Sequence, residues 1–225
     1  MQRRLPGGAR AEVDGHSCKF EWGKRMIISH WLYPVEVLGP GKRLAIWMQG
    51  CRRRCRNCVS PELQDFEGTE YEVPELAKIC NGLIEANGLE GVTISGGEPF
   101  EQREELLRFC KELACDDILV YSGYSIEELT GLSGDRLAES GISVLITNPY
   151  IEELNDDKPL RGSSNQEIIY IDPDKKEAYL RYLEENTREQ QFFVEDSTVY
   201  MAGIPGKGQS ELIRDMITVI MEEGT

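Results

Sequence analysis

Apolar positions along this chain follow two rhythms that take turns. Short apolar runs stand at residues 43–49 (RLAIWMQ), 92–95 (VTIS), 118–121 (ILVY), 143–146 (SVLI) and 168–171 (IIYI). Runs of this length bounded by turn formers read as buried strands. Between them the spacing lengthens to three and four. Residues 73–87 predict a helix, with Pro74 in its first turn and Gly88 just past its end. Residues 101–114 place Leu106, Leu107, Phe109, Cys110, Leu113 and Ala114 at helical spacing. A short helix starts over 126–129, another spans 173–185, and an amphipathic helix closes the chain over 210–221. Residues 27–38 read as an irregular strand before a Gly-Pro-Gly-Lys turn at 39–42. Residues 192–195 and 198–202 form a hairpin.

Strand and helix in alternation predict an α/β fold built of βαβ units around a mostly parallel sheet. In such sheets cofactors bind at the carboxyl ends of the strands. Residues 1–25 carry no period and are rich in Gly, Arg and polar side chains, so they read as a flexible extension ahead of one domain over 26–225.

The net charge of -15, from 40 acidic and 25 basic side chains, speaks against a general nucleic-acid or anionic-membrane binder. No apolar run reaches the roughly 18 residues of a membrane span, and no secretory h-region is visible. These features point to a cytoplasmic protein. The seven cysteines are odd in number and three are clustered, which fits a metal site better than a disulfide framework. Cys80, Cys110 and Cys115 fall in helix-like stretches and read as small buried hydrophobes.

The clustered three are Cys51, Cys55 and Cys58, in GCRRRCRNCVSPE directly after a predicted strand. Soft thiolates select zinc or iron–sulfur clusters. Structural zinc wants four ligands, commonly as two close pairs, and no second pair is evident. Cys18 and His30 are the distant candidates for a fourth ligand. Three thiolates suit a four-iron cube with one iron left open. A zinc site or a redox pair are the alternatives. Arg52, Arg53, Arg54 and Arg56 crowd the loop. Their charge favours reduction of an anionic cluster or docking of an acidic carrier, unless they are simply solvated.

A second motif, Gly96-Gly97-Glu98-Pro99, follows the strand at 92–95. Glycines open the main chain to a ligand and permit unusual φ, and Pro99 delays the next helix. Gly203 to Ser210 (GIPGKGQS) imitates a phosphate loop. The required first glycine falls at Met201, and Lys207 is followed by Gly208, so it is set aside. His16 and His30 offer no catalytic triad.

With both motifs in place, residues 26 to about 205 resemble radical S-adenosylmethionine (SAM) proteins, most nearly the activating proteins of anaerobic ribonucleotide reductase. YSGYSIEEL (121–129), RGSSNQ (161–166) and Gly203-Ile204-Pro205 also look like segments of that subgroup. Asn148-Pro149 and Glu167 depart from its usual pattern. The resemblance implies a partial (βα)6-type radical SAM barrel and a [4Fe–4S] cluster on Cys51, Cys55 and Cys58. It implies SAM lined by Asn57, Cys58 and Val59, oriented by Gly96, Gly97 and Glu98, and touched by Ser122 and Gly123. The implied reaction is reductive cleavage of SAM to a 5′-deoxyadenosyl radical that takes a hydrogen atom from a glycine of a partner glycyl-radical enzyme. A flavodoxin- or ferredoxin-type protein would supply the electron. The alternatives are a small radical SAM enzyme acting on a peptide or small molecule, and a non-catalytic iron–sulfur module.

Overall fold

A computed structural model describes residues 25–195 and 198–209. Nearly all of the expected N-terminal extension, Cys18 and the helix over 210–221 lie outside the described residues. Arg25 does not belong to an extension, because it begins the first strand. The strands are β1 (Arg25–Val35), β2 (Arg43–Met48), β3 (Thr69–Glu72), β4 (Gly91–Gly96), β5 (Ile118–Tyr121), β6 (Val144–Thr147), β7 (Glu167–Tyr170), β8 (Gln190–Glu195) and β9 (Thr198–Gly203). The helices are α1 (Val73–Asn87), α2 (Arg103–Glu112), α3 (Ile126–Ser133) and α4 (Lys176–Glu185).

Seven strands form one sheet in the order β3-β1-β2-β4-β5-β6-β7, and β8 and β9 form a separate hairpin. Neighbouring strands β2, β4, β5 and β6 run parallel. At the edges β1 is antiparallel to β2 and β3, and β7 is antiparallel to β6. The expected parallel sheet is therefore its centre, and the whole is mixed. Strand β3 went unforeseen because Thr69-Glu70-Tyr71-Glu72 is polar and sits on the edge, so no apolar signal marks it.

Period-two alternation divides the two faces. Leu44, Ile46 and Met48 of β2, with Ile118 and Val120 of β5, pack against Leu76 and Cys80 of α1 and Phe109 and Cys110 of α2. The intervening Ala45 and Trp47 join a second cluster with Leu32, Leu63 and Ala202, against which Phe193 and Tyr200 of the hairpin rest. Leu119, Val144 and Ile146 meet Tyr179 of α4 on that same side. Cys80 and Cys110 are core hydrophobes, as expected. Burial pushes the Cys80 thiol up to about 12.

Helix α1 ends where Gly88 adopts the left-handed conformation at φ 57, its amide closing onto the carbonyl of Glu85. Helix α2 starts later than the sequence predicts. Residues Pro99–Gln102 form a 3-10 turn first, because the Glu98 carboxylate caps it by accepting from the amide of Phe100. Leu113 is extended, so the helix also stops at Glu112.

At the amino ends of the parallel strands lies a buried polar network. The guanidinium of Arg43 is fully buried, pairs with Asp117 at 2.9 Å, and donates to Thr93 Oγ1 and to the carbonyls of Pro40 and Val92. Tyr179 donates to Asp117 Oδ1 at 2.7 Å. The network staples β2, β4, β5 and α4 at the end opposite the cysteine loop.

Candidate functional site

Strand β2 delivers the cysteine loop and β4 delivers the Gly-Gly-Glu-Pro corner, side by side in parallel register, with Met48 opposite Gly96. The Gly97 amide donates to the Met48 carbonyl at 2.8 Å, and the Glu98 amide to the Gly50 carbonyl at 2.9 Å. A Cβ on Gly96 would overlap the backbone of Met48, and one on Gly97 the carbonyls of Gly50 and Leu63. The two glycines are thus required by the close approach of one motif to the other.

Below the loop, Gln49 is buried and donates to the carbonyls of Glu62 and Asp65. Gln102 exchanges hydrogen bonds with Ile27 and donates to the Gln49 carbonyl at 2.9 Å. Within the loop Arg54 and Asn57 take left-handed φ values of 47 and 59, which bend the chain sharply between the cysteines. Burial pushes the Cys51 thiol up, against the amides of Arg53 and Arg54, which hydrogen-bond it and pull it down.

Cys51, Cys55 and Cys58 border one cavity of about 220 Å³. Asn57 and Val59 line it beside them, and Gly96, Gly97 and Glu98 line the β4 side. Ser122 and Gly123, just after β5, complete the predicted set. All the site residues expected from the sequence are therefore brought together. Among the described residues no three His, Cys, Asp or Glu side chains converge as they would around one metal ion. The three cysteines instead share the border of one cavity. His30 is no fourth ligand to them. It stacks on Trp47 at 4.7 Å and meets Tyr200 at 5.0 Å, and burial lowers its pKa to about 4.

Glu98 is 2% exposed and bridges the corner to the end of β5. Its carboxylate accepts from Phe100 N at 3.1 Å, Ser122 Oγ at 2.9 Å and Gly123 N at 2.7 Å. Burial raises its pKa to about 7 even against these three donors and the nearby Arg53 charge. The side chain is therefore engaged within the protein, and its first task is to hold the β5 end against the β4 corner.

The four loop arginines separate into different roles. Arg52 pairs with Glu101 and lies over the Phe66 ring, and Arg54 pairs with Asp65 at 2.8 Å. Arg56 is exposed. Arg53 alone turns into the cavity.

The far wall comes from residues that only the segment resemblance had pointed toward. Asn148, at φ 76, and Pro149 follow β6 and line the cavity with Gly162, Gln166, Gly203 and Pro205. Gln166 accepts from the Gly162 amide at 2.7 Å and donates to the Asn148 carbonyl at 3.1 Å, while Asn165 donates to the Pro149 carbonyl at 2.8 Å. Arg188 ties this wall together by donating to Asn155 Oδ1 and to the carbonyls of Pro205, Lys158 and Arg161. Gly203-Ile204-Pro205, inside the phosphate-loop imitation, is cavity wall. Tyr121, which opens the YSGYSIEEL segment, also lines the cavity, whereas the lining residues Trp47 and Met201 carry no sequence signal beyond ordinary core positions.

Residues 37–169 match the family described as a 4Fe-4S single cluster domain, more than half of the chain. The chain belongs to this family. It is 26% identical over 152 residues to the anaerobic ribonucleoside-triphosphate reductase-activating protein of Escherichia coli K12, covering 63% of this chain and 97% of that protein. It is 30% identical over 148 residues to the protein of the same name from Pasteurella multocida, covering 61% and 93%. The pyruvate formate-lyase-activating enzyme of Listeria monocytogenes is 31% identical over 150 residues, covering 60% and 57%. The matched segment contains the cysteine loop, the glycine corner and the Asn148 wall. A cradle of small residues, three cysteines on one cavity wall and an arginine whose buried Nε has no hydrogen-bond partner fit an iron–sulfur cluster with a zwitterionic cofactor beside it.

Proposed function

We infer that this chain is a radical SAM activating enzyme that generates a glycyl radical on a partner protein, an anaerobic ribonucleotide reductase. The observation that carries the reading is the gathering of Cys51, Cys55 and Cys58 with Gly96 and Gly97 around one cavity. Cys51, Cys55 and Cys58 would hold the [4Fe–4S] cluster. Asn57, Val59, Gly96, Gly97, Ser122 and Gly123 would line SAM, with Glu98 fixing the corner. When bound, the two cofactors supply one-electron reduction and hydrogen-atom abstraction. The chain's own residues do the rest. The glycine corner would orient the amino end of SAM. Trp47 and Tyr121 exclude water from the cavity floor. The Asn148–Gln166 wall closes a further side of the cavity.

The domain expected over 26–225 would then be one radical SAM domain that starts one residue earlier, at Arg25 of β1. The parallel strands, with α1 and α2 on one face and the cavity on the other, support a partial (βα)6-type barrel. A flavodoxin- or ferredoxin-type carrier would approach the exposed Arg56 side of the loop. The free thiols of the described residues suit the reducing cytoplasm. Among the described residues no helix is long and apolar enough to cross a membrane.

The test is to mix the reduced, cluster-loaded chain and SAM with the anaerobic ribonucleotide reductase of the same organism. A glycyl doublet in the EPR spectrum is expected. Formation of 5′-deoxyadenosine with no protein radical would reassign the substrate.

A further inference from the structure

Arg53 is the one loop arginine that lines the cavity. Its guanidinium carbon lies 4.6 Å from the centre of the Tyr124 ring, which orients the plane of the fork. Its Nε is buried and has no hydrogen-bond partner. Its stem lies against Gly123, where an added Cβ would stand 2.7 Å from Nε and 2.8 Å from Cδ. The Glu98 carboxylate, on which the Arg53 charge acts, already accepts from Phe100, Ser122 and Gly123. Among the described residues Arg53 forms no ion pair. A buried donor left unsatisfied is costly, so such an arrangement is kept where a ligand completes it.

The ligand that completes it must bring an anion. This inference rests on reading the cavity as a SAM site. SAM carries a sulfonium, an ammonium and one carboxylate, and a fixed guanidinium repels the first two. A planar fork with a free N–H matches a carboxylate. We propose that Arg53 binds the carboxylate of SAM, and that Gly123 lacks a side chain so that Arg53 can reach it. The cysteine loop thus supplies both the cluster ligands and the cation that recognises the amino-acid end of the cofactor. Tyr124 and Gly123 position that cation from the end of β5.

The test is anaerobic equilibrium binding to the cluster-loaded full chain, with SAM and with decarboxylated SAM, which keeps the nucleoside, sulfonium and amine. Arg53→Met should weaken SAM binding by about 10- to 100-fold, the size of a lost charge-assisted hydrogen bond, and leave decarboxylated SAM unchanged. Tyr124→Leu, at a residue that does not line the cavity, removes the ring that positions Arg53 and should give the same selectivity with a smaller loss. If Arg53→Met fails to assemble a cluster, Tyr124→Leu decides alone. Equal weakening of the two ligands, or none, overturns the assignment. A wild-type chain that holds a cluster yet binds neither ligand removes the parent reading and this inference together. Normal wild-type binding with unselective variants removes this inference only.

Discussion

The amide of Glu98 donates to the carbonyl of Gly50 at 2.9 Å, and that bond joins the corner after β4 to the root of the cysteine loop. Gly97 makes the approach possible, since any Cβ there would overlap Gly50 and Leu63 backbone. Backbone cannot swing aside as a side chain can. Gly97→Ala should therefore cost about 1–3 kcal/mol by overpacking and lower the iron and sulfide content after reconstitution. Gly82, inside α1, faces open space. Gly82→Ala should stabilise by about 0.5–1 kcal/mol and leave iron content unchanged. Urea denaturation of the apoprotein and iron analysis check both.

Glu98 couples stability to pH with a defined sign. Its folded pKa is raised from 4.5 to about 7, chiefly by burial. Between those values the folded chain keeps a proton that the unfolded chain has lost. Its contribution is greatest below pH 4.5 and is lost as pH rises through 7. Glu98→Gln should remove that slope. It should also destabilise by about 1–3 kcal/mol, because an amide cannot accept from all three donors. Denaturation midpoints of the two apoproteins from pH 5 upward, compared as a difference, read the effect; parallel curves would contradict it.

Arg43 and Asp117 stabilise the fold and take no part in the cavity. Arg43→Met removes the guanidinium that answers the buried Asp117 carboxylate and leaves it the Tyr179 hydroxyl, which should cost about 3–5 kcal/mol. Variant protein that stays folded should keep the wild-type cluster absorbance and SAM affinity. A change in affinity without a change in stability would assign the pair to the site instead.

Much of the scaffold was legible because local chemistry specified it. Pro74 and Gly88 bracket α1 at the predicted residues, and the ILVY run is β5 to the residue. The predicted site residues also converged, because both motifs lie at the carboxyl ends of adjacent parallel strands. Long-range relationships were not legible. Nothing near Arg43 announces Asp117 or Tyr179, and nothing near Arg188 announces the wall it ties. The packing roles of Gly96, Gly97 and Glu98 were not legible either: beside lining the cavity, the glycines make room for the neighbouring loop and Glu98 is engaged by Phe100, Ser122 and Gly123. The four arginines looked equivalent in sequence. Only the fold shows Arg52 and Arg54 paired outside and Arg53 turned in.

Anaerobic reconstitution followed by reduction with dithionite in the presence of SAM tests the central claim most directly. The account predicts about four iron atoms per chain and release of 5′-deoxyadenosine, both abolished in Cys55→Ala. A chain that takes up a single zinc ion, or a Cys55→Ala variant that still cleaves SAM, would contradict it.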